Sequence, residues 1–97
     1  MFHTSDAWLL LSLIYAREPS DRDHLRVVGD FINHAIFTDE ELDGGLDRLM
    51  QAGHAVVEKG RYSPSPQVLA WYDSLTAGKS RTYVSKDLER VEKLLGI

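Results

Sequence analysis

The sequence predicts a mainly α-helical domain with one small β-hairpin, three helices preceding the hairpin and two following it. Three observations carry this. Apolar residues recur at helical spacing through the first half and again after residue 66. Thr38-Asp39-Glu40-Glu41 forms a complete capping box, with a threonine acceptor at N-cap and a carboxylate at N3. After Gly53 the spacing shortens to about two residues around a Glu58-Lys59-Gly60 turn.

Each element has its own local cause. The run Ala7 to Ala16 has the length of a signal-peptide apolar region, but Met1 to Asp6 carries no Lys or Arg, and the run is too short to span a bilayer. It therefore reads as a first helix, with Thr4 or Ser5 as N-cap and Asp6 in the positive first turn. Its apolar residues cover nearly the whole circumference, so it needs cover on more than one side. Pro19 ends it. Ser20, with Asp23 three residues on, is expected to cap a second helix running to about Ala35. That helix turns Leu25, Val28, Ile32 and Ala35 inward with Phe31 beside them, and Asp30 and His34 fall on its other side. The third helix starts at the Thr38 box, carries Leu42, Leu46, Leu49 and Met50 on its apolar stripe, and stops at an αL cap on Gly53. Ala55-Val56-Val57 and Arg61-Tyr62-Ser63 form the hairpin arms. Ser65-Pro66 opens a fourth helix with Val68, Leu69, Trp71, Tyr72 and Leu75 as its apolar residues. A polar connection from Ala77 to Tyr83 leads to a last helix from Ser85, with Leu88, Val91 and Leu95 on one face. The expected organisation is one domain over 1–76, with 77–97 a linker and a helix that packs on the domain or on a dimer mate.

Composition narrows the function. The chain has 97 residues, 43% of them hydrophobic, and 11 Lys and Arg stand against 15 Asp and Glu for a net charge of −4. That is one ordinary core. The absence of cysteine excludes a disulfide scaffold, thiol catalysis and cysteine-based zinc sites, and with no export signature it predicts a cytoplasmic protein. There is no Gly-x-Ser-x-Gly elbow, no glycine-rich phosphate loop and no HExxH, so neither an enzyme nor a cofactor is expected. Asp30 with His34, and His24 with Asp21 or Asp23, share helix faces, but no third metal ligand can be named; an Asp30 to His34 hydrogen bond is the plainer reading.

The order of three helices and a glycine-turned hairpin, through Leu49-Met50-Gln51-Ala52-Gly53-His54-Ala55-Val56-Val57, resembles the winged helix-turn-helix superfamily in a bacterial form, without matching any one regulator family. The resemblance covers residues 5 to 75 and implies a winged helix, a three-helix core plus wing, with extra C-terminal helices. That superfamily serves DNA readers, RNA binders and protein-interaction modules alike. In a DNA reader the third helix would enter the major groove, and its exposed residues would reach bases and phosphates. Here the expected exposed positions are Asp39, Glu40, Glu41, Asp43, Gly44, Asp47, Arg48 and Gln51, five carboxylates against one guanidinium. Residues 1–47 hold three arginines against ten carboxylates, net −7, and residues 48–97 hold eight bases against five, net +3. Nucleic acid is thus disfavoured, with a contact through the basic wing and tail, at Lys59, Arg61, Lys79 and Arg81, as the alternative.

The first expectation is a protein-interaction or dimerisation module. Asp39, Glu40, Asp43, Gly44 and Asp47 either dock a basic partner or form a solvated helix face. Gly44-Gly45 within a helix costs about 1 kcal/mol per glycine, which calls for a close neighbour, from this chain or from a partner. The surplus apolar surface of the first helix points to a homodimer through Trp8, Leu11, Tyr15, Leu88, Val91 and Leu95.

Overall fold

A computed structural model describes residues 1–79 and 82–97. In chain order it contains α1 (Thr4–Ala16), α2 (Arg22–Asn33), α3 (Asp39–Gln51), β1 (Ala55–Glu58), β2 (Arg61–Pro64), α4 (Pro66–Thr76) and α5 (Val84–Leu95). The molecule is mainly helical with a two-stranded antiparallel sheet, as the periodicity predicts.

α1 lies at the centre. Every residue from Asp6 to Ile14 is buried, because α2, α3, β2 and α5 all pack around it. Its cap falls at His3, one residue before the expected site: the Asp6 carboxylate accepts the His3 backbone N–H at 2.9 Å. The cover that this helix requires comes from the same chain, with α5 closing the side left open by α2 and α3.

α2 is shorter than expected and starts later. Asp21, not Ser20, is the N-cap, accepting from the His24 N–H at 2.8 Å. Ser20 is buried instead in a β-bridge, exchanging two backbone hydrogen bonds with Tyr62 at 2.8 and 2.9 Å and so tying the entry to α2 onto β2. At the other end α2 stops on His34 in the left-handed region, whose N–H bonds the Asp30 carbonyl at 2.7 Å. That is the ordinary backbone bond closing the helix, and the expected side-chain hydrogen bond between Asp30 and His34 is not among those formed by the described residues. Leu25 and Ile32 face the core as expected, but Phe31 and Ala35 face solvent. The aromatic that enters the core is Phe37, from the connection to α3. It stacks on Trp8 with ring centroids 3.7 Å apart, and the Trp8 indole N–H donates to the Gly29 carbonyl at 2.9 Å. A Cβ at Gly29 would lie 2.3 Å from the Phe37 ring, so this stack requires the glycine.

α3 follows its sequence signals to the residue: the Thr38 hydroxyl accepts from Glu41 N–H at 3.1 Å and Glu41 returns the bond at 2.9 Å. Gly45 faces α1, where an added Cβ would come within 2.7 Å of Leu9 and 3.0 Å of the Asp6 carboxylate. The close neighbour is thus in this chain. β1 and β2 pair from Ala55 with Pro64 to Glu58 with Arg61, closed by Lys59 and Gly60 at φ 53° and 76°, the left-handed pair of a two-residue hairpin turn whose twist matches the strands. Ser65 caps α4 through Val68 N–H, with Pro66 in the first turn. α5 begins at Val84, one residue early.

Candidate functional site

The outward side of α3 is a carboxylate surface. Asp39, Glu40, Asp43 and Asp47 are exposed, while Glu41 turns back to its cap and Gly44 is half-covered beneath the end of Arg48. Arg48, expected on this surface, is committed elsewhere. Its guanidinium forks onto the fully buried Asp6 through Nε at 2.7 Å and Nη2 at 2.9 Å. Burial pushes the Asp6 carboxyl up, but the Arg48 hydrogen bonds and charge, with the His3 N–H, outweigh it and hold the group below the usual carboxylate range. The same pairing raises Arg48. Sequence spacing gave no sign of this pair, since 42 residues separate its members.

The arginines of α2 are similarly spent. Arg22 reaches Asp39 at 3.1 Å and Asp43 at 3.3 Å, and Arg26 bonds the Asp39 carboxylate and the Phe37 carbonyl. With Asp21, Asp23, Gly60 and Tyr62 they line a cleft of about 540 Å³ between the start of α2 and the hairpin. Its two cations are matched by three carboxylates, Asp21, Asp23 and Asp39, so it offers an anion no net positive field.

Among the nucleic-acid candidates, Lys59 in the hairpin turn and Arg61 just after it are exposed and border a shallow groove of about 320 Å³ with Pro19, Val56, Glu58 and Ser63. Lys79 lies beyond the far end of α4, in a turn where its N–H bonds the Thr76 carbonyl. Arg81 lies outside the described residues. The four cations are therefore not assembled into one described patch.

The expected dimer residues are placed inside the chain. Trp8, Leu11, Val91 and Leu95 are buried in the core, and Tyr15 and Leu88 are half-buried against it. They do not form an outer surface, because α5 already covers α1. At their centre is a residue that the periodicity did not single out. Asp87 on α5 is fully buried and accepts from Tyr15 Oη at 2.6 Å, Tyr72 Oη at 2.7 Å and Arg90 Nη1 at 3.0 Å, joining α1, α4 and α5. Burial works to raise the Asp87 carboxyl, but the hydrogen bonds from Tyr15, Tyr72, Thr82 and Arg90 bring it below its ordinary value. Burial, then the bond to Asp87, pushes both tyrosine hydroxyls up, Tyr15 furthest. They stay protonated donors. One sequence signal did exist: Asp87 stands one turn before Val91 on the apolar stripe of α5.

Exposed large apolar side chains lie on α2, at Ile36 in the connection that follows it, and at Val56 and Val57 on β1. Val27 and Phe31, one turn apart, are 68% and 70% exposed. With Val28, Tyr15, Arg17, Tyr72 and Thr82 they line a groove of about 380 Å³. Arg17 stands over the Tyr72 ring and touches Asp73 only at 3.9 Å. Large apolar side chains this open on a helix are a mark of contact surfaces when they adjoin one another.

Among the described residues no group of three His, Cys, Asp or Glu could hold a metal ion, and no helix is long and apolar enough to cross a membrane. Comparison of the chain with protein-family models, curated proteins and solved structures gives no match.

Proposed function

We propose that this chain is a winged-helix module that works through protein contacts, with β1 and β2 as the wing and α3 held out of the DNA groove. The supporting observation is the α3 surface. Asp39, Glu40, Asp43 and Asp47 point outward, and the three nearest arginines, Arg22, Arg26 and Arg48, are engaged by carboxylates of the same fold. Inserting that helix into a major groove would set carboxylates against phosphates, and the one arginine on α3, Arg48, is already held by Asp6. The open Val27 and Phe31 face supplies contact area of the kind proteins use. The module carries no reaction and needs no cofactor.

A second reading keeps one observation in its favour. Lys59 and Arg61 project from the hairpin tip with no ion pair among the described residues, as a wing touching DNA backbone would have them. A salt series on immobilised duplex DNA separates the two. The interaction module predicts no retention even at low salt. Retention with a steep salt dependence, abolished by Arg61→Glu, would establish the wing-first regulator instead.

A further inference from the structure

We infer that the exposed face of α2 is a self-association surface, on which a second copy of this chain packs its own α2 antiparallel about a two-fold axis. The inference rests on the interaction-module reading and names its partner. Asp23, Val27 and Phe31 succeed one another at spacings of four, which sets them along one side of the helix with Asp30 at its flank, and His34 follows as the left-handed C-cap at the helix end. That side is opposite the core face of Leu25, Gly29 and Ile32.

The pattern is self-complementary in one direction only. Antiparallel packing centred at the level of residue 29 puts Val27 of each copy against the partner's Phe31, two contacts in all. It also brings Asp23, at the start of each helix, within one residue of the partner's His34 at the end. Among the described residues Asp23 pairs only with Arg26, at 3.9 Å, with its side chain 97% exposed, and the exposed His34 has no side-chain partner. Each is thus available to the other. Parallel packing would set Asp23 against Asp23 and His34 against His34. The groove beside Val27 and Val28, walled by Tyr15 and Tyr72, stands at the level where the partner's Phe31 ring arrives. A two-fold interface demands this kind of reciprocity, in which one patch supplies both the projecting side chain and its seat. The patch is small, so the association belongs with weak, transient interfaces.

Sedimentation equilibrium of the full chain, from micromolar to millimolar, tests it. We expect a reversible dimer. Val27→Asp and Phe31→Ser, both at open positions, should leave the circular dichroism spectrum and melting curve intact while weakening the dimer about 30-fold or more. Asp23→Arg should also weaken it, and adding His34→Asp to that variant should restore it. A monomer throughout, or a dimer indifferent to Val27→Asp and Phe31→Ser, overturns the interface. Failure of the charge exchange to rescue overturns the antiparallel arrangement. A monomer that is also not retained on DNA would overturn this inference alone and leave the parent reading standing, with a different protein as partner.

Discussion

Asp87 stands on the apolar stripe of α5 where a leucine would be expected, and three donors from three helices converge on it. A buried carboxylate with that many partners is costly to disturb, because the donors would be left unpaired in the interior. Asp87→Asn is expected to lose about 2 to 4 kcal/mol in denaturant unfolding. Tyr15→Phe and Tyr72→Phe each remove one donor and should cost about 1.5 to 3 kcal/mol, with the double variant departing from additivity because both bonds share one acceptor atom. The same groups set the pH window. Asp87 and Asp6 are lowered in the folded state, so their stabilisation is present above about pH 4 and is lost as pH falls through their folded values. Tyr15 and Tyr72 are raised, so theirs is complete below about pH 10 and is lost as pH climbs beyond it. Melting temperature followed across pH should show a plateau with a fall at each end; a flat acid limb would contradict the role given to the two aspartates.

At the scale of elements, α1 and α3 meet only because Gly45 has no side chain. Gly45→Ala gains about 1 kcal/mol of helix propensity but drives a methyl into Leu9 and Asp6, so net destabilisation is expected from thermal melts. Gly44→Ala meets only the end of the Arg48 side chain, at 3.1 Å, and should be clearly the milder of the two. How far such features can be read in advance depends on the range of their causes. α3 and α4 start where their caps dictate, since Thr38 with Glu41, and Ser65 with Pro66, act within one turn. α2 does not, because Ser20 is claimed by Tyr62 from 42 residues away. Periodicity places Phe31 beside the inward face and leaves Phe37 in a connection. The core reverses this, since Phe37 alone can stack on Trp8 over Gly29. The acidic side of α3 was legible, yet the loss of Arg48 from it was not, because pairing with Asp6 depends on how two helices dock.

For the whole molecule, the radius of gyration of 12.2 Å is close to the roughly 13 Å of a 100-residue domain, and α5 is part of that body and not an appendage. Ending the chain after residue 76 would uncover the α1 side that carries Leu11 and Tyr15 and remove the acceptor of Tyr15 and Tyr72. We expect that shortened chain to lose cooperative unfolding and to aggregate, as seen by light scattering. With α1 enclosed, the remaining open apolar surface on a helix is that of α2, and the charged surface of α3 has the sign of DNA itself. The proposed function rests on that division between faces. Backbone amide NMR shifts of the full chain, followed at low salt as duplex DNA is added, test it most directly. Amides of Asp39–Gln51 and of Lys59–Arg61 should stay in place at equimolar duplex. Progressive shifts confined to α3 or to the hairpin turn would contradict it.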